Sequence, residues 1–151
     1  MIVRRATVAD FPALIDMGKA MHEESAFNWL PFSSDKLAAL GEAYLRDPSR
    51  VLFVCEDSVG GVVGMFAGYV TPYYFCDATI ATELFWYVLP AVRGTSAAIR
   101  LLREFERWAA AQGAAEIAIA SWTGVAPTQF NNMLERAGFT HRGANFSRRI
   151  V

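Results

Sequence analysis

Hydrophobic spacing along the chain switches between a period of two and a period near 3.6. Residues 2–7 (IVRRAT) read as a short first strand. Asp10 is placed to cap a helix with Phe11, Leu14, Ile15 and Gly18 on one side, and Pro12 is tolerated in its first turn. Residues 22–32 (HEESAFNWLPF) are aperiodic and run into a proline, which predicts a loop. Ser33 or Ser34 then caps a second helix with Leu37, Leu40, Ala43, Tyr44 and Leu45 at helical spacing, and DPS at 47–49 stops it.

Strands dominate the middle. Residues 50–57 (RVLFVCED) and 62–71 (VVGMFAGYVT) flank SVGG, a hairpin turn signal. Gly64 and Gly68 in the return strand predict a bulge or close backbone packing. Residues 72–77 (PYYFCD) connect it to another strand, 81–89 (ATELFWYVL). A helix follows from about Thr95 to Gln112, with an apolar stripe of Ala98, Leu101, Leu102, Phe105, Trp108 and Ala109, and Gly113 in the usual terminating position. Residues 115–121 (AEIAIAS) read as a buried strand, Pro127 opens a helix that Gly138 ends, and 139–151 read as a terminal strand or hairpin. The order β-α-α-β-β-β-α-β-α-β predicts one mixed α/β domain over residues 1–151.

Composition narrows the class. Apolar residues make up 54% of the 151, and formal net charge is −1, which argues against disorder and against a nucleic-acid binder. No apolar stretch has the length of a membrane span, and the N-terminal MIVRRATVAD lacks a signal-peptide core. Cys55 and Cys76 have no metal-ligand spacing and fit buried free thiols. The expectation is a cytoplasmic protein without metal, nucleic-acid or membrane partners.

The segment YVLPAVRGTSAAIRLL, residues 87–102, carries the chemistry. A strand running into a helix N-terminus presents unpaired N–H groups and the positive end of a dipole, and small residues let an anion approach. Arg93 adds a forked, permanently charged donor. A capped βα turn with a surface arginine is the alternative. The segment matches neither a Walker A loop nor GxGxxG.

Here the sequence resembles the GCN5-related N-acetyltransferase (GNAT) superfamily, whose signature is V-x-P-x-x-R-G-x-G/A-x-G/A followed by a helix with paired leucines. Val88, Pro90, Arg93, Gly94, Ser96, Ala98, Leu101 and Leu102 fall on it in order. LERAGF at 134–139 is similar to the family's L-Y-E-K-x-G-F segment, and the element order is the family's over almost the whole chain. MHEESAF and ELFWYVLPAVRG look like a bacterial and phage-type branch.

The resemblance implies a GNAT fold and acetyl-CoA as cofactor. It places the pyrophosphate on Arg93, Gly94, Thr95, Ser96, Ala97 and Ala98, and the pantetheine arm along 84–89, with Val88 and Leu89 at its end. It makes the N–H near Val88 a donor to the thioester oxygen, and Asn131 and Asn132 candidates for the far side of the cofactor. Two departures stand out. Ser96 replaces the first loop glycine, and its hydroxyl is a possible phosphate donor. Leu134 stands where a tyrosine often serves as general acid, so another group, with Tyr73, Tyr74 and Tyr87 as candidates, or water protonates the thiolate, or catalysis is weak.

Glu83 is the leading candidate for the base. It is a lone carboxylate in an apolar strand, and alternation puts it on one face with Phe85 and Tyr87. A solvated strand face is the alternative. His22 is a second candidate base, and Glu23 and Glu24 are candidates to attract a cationic amine, against a solvated helix end. Phe32, Tyr73, Tyr74 and Trp29 are loop aromatics suited to line an acceptor pocket or to cover the core edge. Trp86 and Trp108 read as core. Arg142, Arg148 and Arg149 form a solvated strand face, or a contact to the adenosine 3′-phosphate or a second subunit of a homodimer. The expected activity is transfer of an acetyl group to a primary amine of a small molecule or peptide by direct attack. A CoA-binding module without turnover and an interaction domain that kept the fold are the alternatives.

Overall fold

The computed structural model describes residues 1–150. Five strands form one sheet in sequence order: β1 (Ile2–Arg5), β2 (Arg50–Glu56), β3 (Val62–Pro72), β4 (Thr79–Val88) and β5 (Glu116–Ala118). The first four pair antiparallel, and β5 pairs parallel to β4. Helices α1 (Phe11–Glu24) and α2 (Ser34–Arg46) lie between β1 and β2, α3 (Ala97–Ala111) between β4 and β5, and α4 (Pro127–Arg136) follows β5. This is the mixed sheet with flanking helices expected from the sequence. No helix among the described residues is long and apolar enough to cross a membrane.

Both faces of the sheet are covered, so β2 and β3 are apolar on both sides. Val51, Phe53, Cys55 and Phe66 face Leu101, Phe105 and Trp108 of α3. Leu52, Val54 and Met65 face Leu14 and Met17 of α1 and Tyr44 of α2. Gly68 lets α3 sit close: a Cβ there would lie 2.3 Å from Cε2 of the fully buried Phe105.

A one-residue bulge changes the phase of β4. Gly68 is opposite Glu83 and Ala67 is opposite Phe85, so Leu84 is the extra residue. Trp86, opposite Phe66, and Val88 therefore pack on the α3 side, and Phe85 and Tyr87 on the α1–α2 side. Glu83 shares the face of Gly68 and Phe105. The expected common face for Glu83, Phe85 and Tyr87 is thus corrected, because simple alternation does not survive the inserted residue.

Other expectations change in detail. β1 stops at Arg5, because Thr7 and Asp10 form a reciprocal capping box around the short 3-10 turn Val8–Asp10. Asp10 makes no side-chain cap for α1, and its carboxylate instead receives Arg4 and the Thr7 N–H. Helix α1 continues to Glu24, into the segment expected to be a loop, and α3 starts at Ala97 rather than Thr95. Ser33 does cap α2, accepting from the Lys36 N–H at 3.2 Å. β5 spans three residues and is not buried, since only β4 pairs with it. Residues 139–150 form no strand, and Val151 lies outside the described residues. Cys55 is buried as expected, but Cys76 is exposed in the β3–β4 turn.

Gly68→Ala should destabilise the domain by about 1–3 kcal/mol, the usual cost of overpacking a filled core. Urea unfolding measures it, and a variant as stable as the parent would show that Phe105 moves aside freely.

Candidate active site

β4 and β5 pair only through Ile80–Glu116, Ala81–Ile117 and Thr82–Ala118. Beyond them the strands part and open a cleft of about 920 Å³. One wall is the edge of β4 from Glu83 to Val88. The others are the loop after β4 with α3 (Val92–Thr95, Ala98, Ile99, Arg103), the 120–126 segment, and α4 (Gln129, Phe130, Asn132, Met133, Arg136).

Backbone direction along β4 follows from its register. Leu89 N–H donates to Val63 O at 3.0 Å, and Val88 stands opposite Gly64. Val88 is therefore in a non-hydrogen-bonded pair, and its own N–H and C=O point away from β3. With β5 absent at that level, both point to the open side.

Glu83 sits at the vertex and is 8% exposed. Its Oε1 accepts the Ala120 N–H at 2.9 Å, which takes up a backbone donor just where the strand ladder ends. Burial pushes its carboxyl up to about 7, against the opposing effect of the Ala120 N–H. It is the one carboxylate among the cleft-lining residues.

The phosphate-loop candidates are placed at the far end of β4. Gly94 has φ +82°, a left-handed conformation that favours glycine. Ser96 has φ −75° and ψ −1°, so serine replaces the family's glycine there without backbone strain. Its hydroxyl is engaged, accepting from Arg100 Nε at 3.0 Å. Thr95 Oγ1 donates to Val92 O and accepts the Ala97 N–H. Gly94, Thr95 and Ala98 line the cleft, while Ser96, Ala97 and Leu89 do not. Of the two asparagines, Asn132 lines it and Asn131 does not.

Arg93 departs most from expectation. Its Nη1 and Nη2 donate to Glu24 at 2.8 and 2.9 Å, and its Nε donates to Val88 O at 3.1 Å. The guanidinium lies 5.3 Å from the Tyr87 ring centroid, and the Tyr87 hydroxyl donates to the same Glu24 carboxylate. Arg93, then Tyr87, hold that carboxylate below its ordinary range, although burial opposes them. Burial first, and Glu24 second, push the Tyr87 phenol up to about 12. Glu24 is therefore already neutralised by a partner.

The remaining candidates lie outside the cleft lining. His22, in the last turn of α1, has its Nε2 2.8 Å from Leu30 O and its ring 5.7 Å from that of Phe32, so it braces the connection between α1 and α2 to which Phe32 belongs. Glu23 is exposed near the end of α1. Tyr73 and Tyr74 meet Phe75 edge-on in an aromatic cluster on the β3–β4 turn, at the opposite end of β4 from Val88. Leu134 is the one buried residue of α4 and is not part of the cleft lining. Trp108 is core, whereas Trp86 packs on Phe66 and also lines the cleft.

Arg103, Arg136, Gln129 and Trp122 also line the cleft and were not singled out from sequence. Helical spacing was the available signal. Arg103 is one turn beyond Ile99, and Gln129, Asn132, Met133 and Arg136 recur at three and four.

A sequence profile of the acetyltransferase (GNAT) family matches residues 18–139, and the chain belongs to that family. A search of curated proteins by sequence found no match. Among solved structures, AAC(6')-Iy, in complex with the bisubstrate analogue CoA-S-monomethyl-acetylneamine, is 19% identical with TM-score 0.78, over 99% of this chain and 98% of that one. The aminoglycoside antibiotic 6'-N-acetyltransferase AAC(6')-IG from Acinetobacter haemolyticus is 18% identical with TM-score 0.74, over 100% of both chains. A transcriptional regulator from Bacillus halodurans is 19% identical with TM-score 0.77, over 97% of this chain and 99% of that one. At such identities the likeness is one of fold.

The raised pKa of Glu83 makes stability depend on pH. Below 4.5 the carboxyl is protonated in both folded and unfolded chains. As pH rises from there to about 7, the unfolded chain releases the proton and the folded chain keeps it, so stability falls. The loss is complete above about 7 and amounts to about 3 kcal/mol. Glu83→Gln should therefore match the parent near pH 4.5 and exceed it at pH 8 in urea unfolding. A difference independent of pH would mean that Glu83 ionises as an ordinary carboxyl.

Proposed function

We propose that the chain is an acetyl-CoA-dependent N-acetyltransferase acting on a primary amine of a small molecule or peptide, by direct attack in a ternary complex. One observation carries this reading: a buried carboxylate at the vertex of a cleft whose wall is an unpaired strand edge. Family membership supports it.

The cleft fits the cofactor. Gly94 and Thr95 turn the chain into the N-terminus of α3, whose free N–H groups suit a pyrophosphate. Arg103 and Arg136 add positive charge on adjoining helices, and the unpaired edge of β4 gives an amide-bearing arm a strand to run beside. Acetyl-CoA, when bound, supplies an acetyl group activated as a thioester. Val88 N–H is then the donor for the thioester oxygen, on which negative charge grows as the amine attacks. Glu83 holds the proton that the ammonium must lose, and a carboxyl near 7 is matched to that task at neutral pH.

Tyr87 is not suited to protonate the departing thiolate. Its phenol is pushed up to about 12 and donates to Glu24. Leu134 supplies no acid and Tyr73 and Tyr74 lie outside the cleft lining. Water in the open cleft, or Glu83 in its protonated form, is left to return the proton. The buried Leu134 also favours a second reading, a CoA-binding module without turnover.

The two readings separate by experiment. Coenzyme A should raise Tm, with a stabilisation of about 2.7 kcal/mol at a hundred times its Kd. With a true amine acceptor, kcat/KM should rise with pH through about 7 and level off. Glu83→Gln should lower kcat by roughly 10²–10⁴-fold, with CoA affinity unchanged. CoA binding with no transfer across a broad amine panel would favour the module. No response to CoA would sink both.

A further inference from the structure

Arg93 belongs by sequence to the phosphate loop, yet every nitrogen of its guanidinium has a protein partner. Nη1 and Nη2 reach Glu24 at the end of α1, and Nε reaches Val88 O at the end of β4. Tyr87 closes the cluster from below, donating to Glu24 and presenting its ring to the guanidinium. The cluster thus spans residues 69 apart in sequence and ties α1 to the last residue of β4.

The Val88 carbonyl and amide point to the same open side of β4, where no neighbouring strand holds them. Leu89 N–H, on the peptide that carries the Val88 carbonyl, is held by Val63 O on one side, and the carbonyl itself is held by Arg93 on the other. Arg93 therefore does locally what a paired strand would do elsewhere in a sheet. Glu24 fixes the rotamer from which it does so.

We propose that Glu24 and Arg93 are positioning residues that set the orientation of the Val88 peptide, rather than ligands for the acceptor amine and the cofactor phosphate. This rests on the acetyl-transfer reading above only in what that orientation serves: fixing the Val88–Leu89 peptide restrains the backbone at Val88, from which the preceding peptide aims the Val88 N–H at the thioester oxygen. Both side chains are about a third exposed, so the ion pair adds little to global stability. Its loss should appear in catalysis while the fold survives.

Glu24→Gln and Arg93→Lys test this. Lysine keeps the charge but lacks the fork that spans Glu24 and Val88 O. Each variant should lower kcat roughly tenfold to a hundredfold, the cost of a small misplacement of a reacting group. The Kd of coenzyme A by calorimetry and the KM for the amine should stay near the parent values. The double variant should be no worse than the poorer single one, because both act through one link. In ¹⁵N spectra of the free protein, both variants should displace the Val88 and Leu89 amide resonances alike. Three results would overturn the proposal: a tenfold weaker Kd for coenzyme A in Arg93→Lys alone, an effect of Glu24→Gln confined to the amine KM, or additive losses in the double variant. If the parent protein bound no coenzyme A, the acetyl-transfer reading would fail. The amide resonances would still decide whether Glu24 governs the Val88 peptide, and unchanged resonances would refute it.

Discussion

Two parallel strands that pair for three residues and then diverge leave a backbone edge that no ladder satisfies, and the rest of this molecule is arranged around that edge. Two residues past the last paired position the Ala120 N–H meets the Glu83 carboxylate instead of a strand. That contact keeps a carboxyl at the vertex while burial keeps it near neutral-pH titration. Further along, Val88 has no strand beside it, and the chain answers with an arginine from the next turn. The cleft is therefore a consequence of sheet pairing that stops early. Its two chemically distinctive points are the places where side chains replace missing ladder bonds.

The hydrophobic layers make this edge rigid enough to be useful. Phe66, Phe105 and Leu101 are fully buried on one side of the sheet, and Met65 is nearly so on the other. Strand β3, sandwiched between them, holds β4 in register up to Val88. Gly68 allows α3 to close on the sheet, and α3 brings its N-terminus to the mouth of the cleft. The N-terminus of α3 at one end of β4 and the Glu83 carboxyl at its middle are in this way fixed by the same core.

What was legible in the sequence was local or chemically conspicuous. The glycine turn at Gly94 and the apolar stripe of α3 are short-range patterns, and a lone glutamate in an apolar strand draws attention by itself. The failures were of range and of phase. Nothing near Glu24 announces Arg93, and nothing near Arg93 announces that its fork is already taken. A loop signature names the type of ligand but not the rotamers of its side chains. The C-terminal residues read as a strand or hairpin, yet in 139–150 they form no strand, because local preference is not enough and pairing needs a neighbour. Tyr73 and Tyr74 were loop aromatics in sequence, and only the topology places them at the wrong end of β4.

The extra residue at Leu84 gives β4 two grammars in one strand. Up to Glu83 its odd positions face α3, and from Phe85 onward its even positions do. Losing Leu84 would restore plain alternation and still leave Glu83 on the face of Trp86 and Val88, because the remaining pairings with β3 are already in step. What it would remove is the local bend that an extra residue puts into a strand. Substitutions along 83–88 are judged by size and polarity, but a change of length is judged by curvature and phase: one residue fewer straightens the edge of the cleft, and one more shifts its two halves against each other.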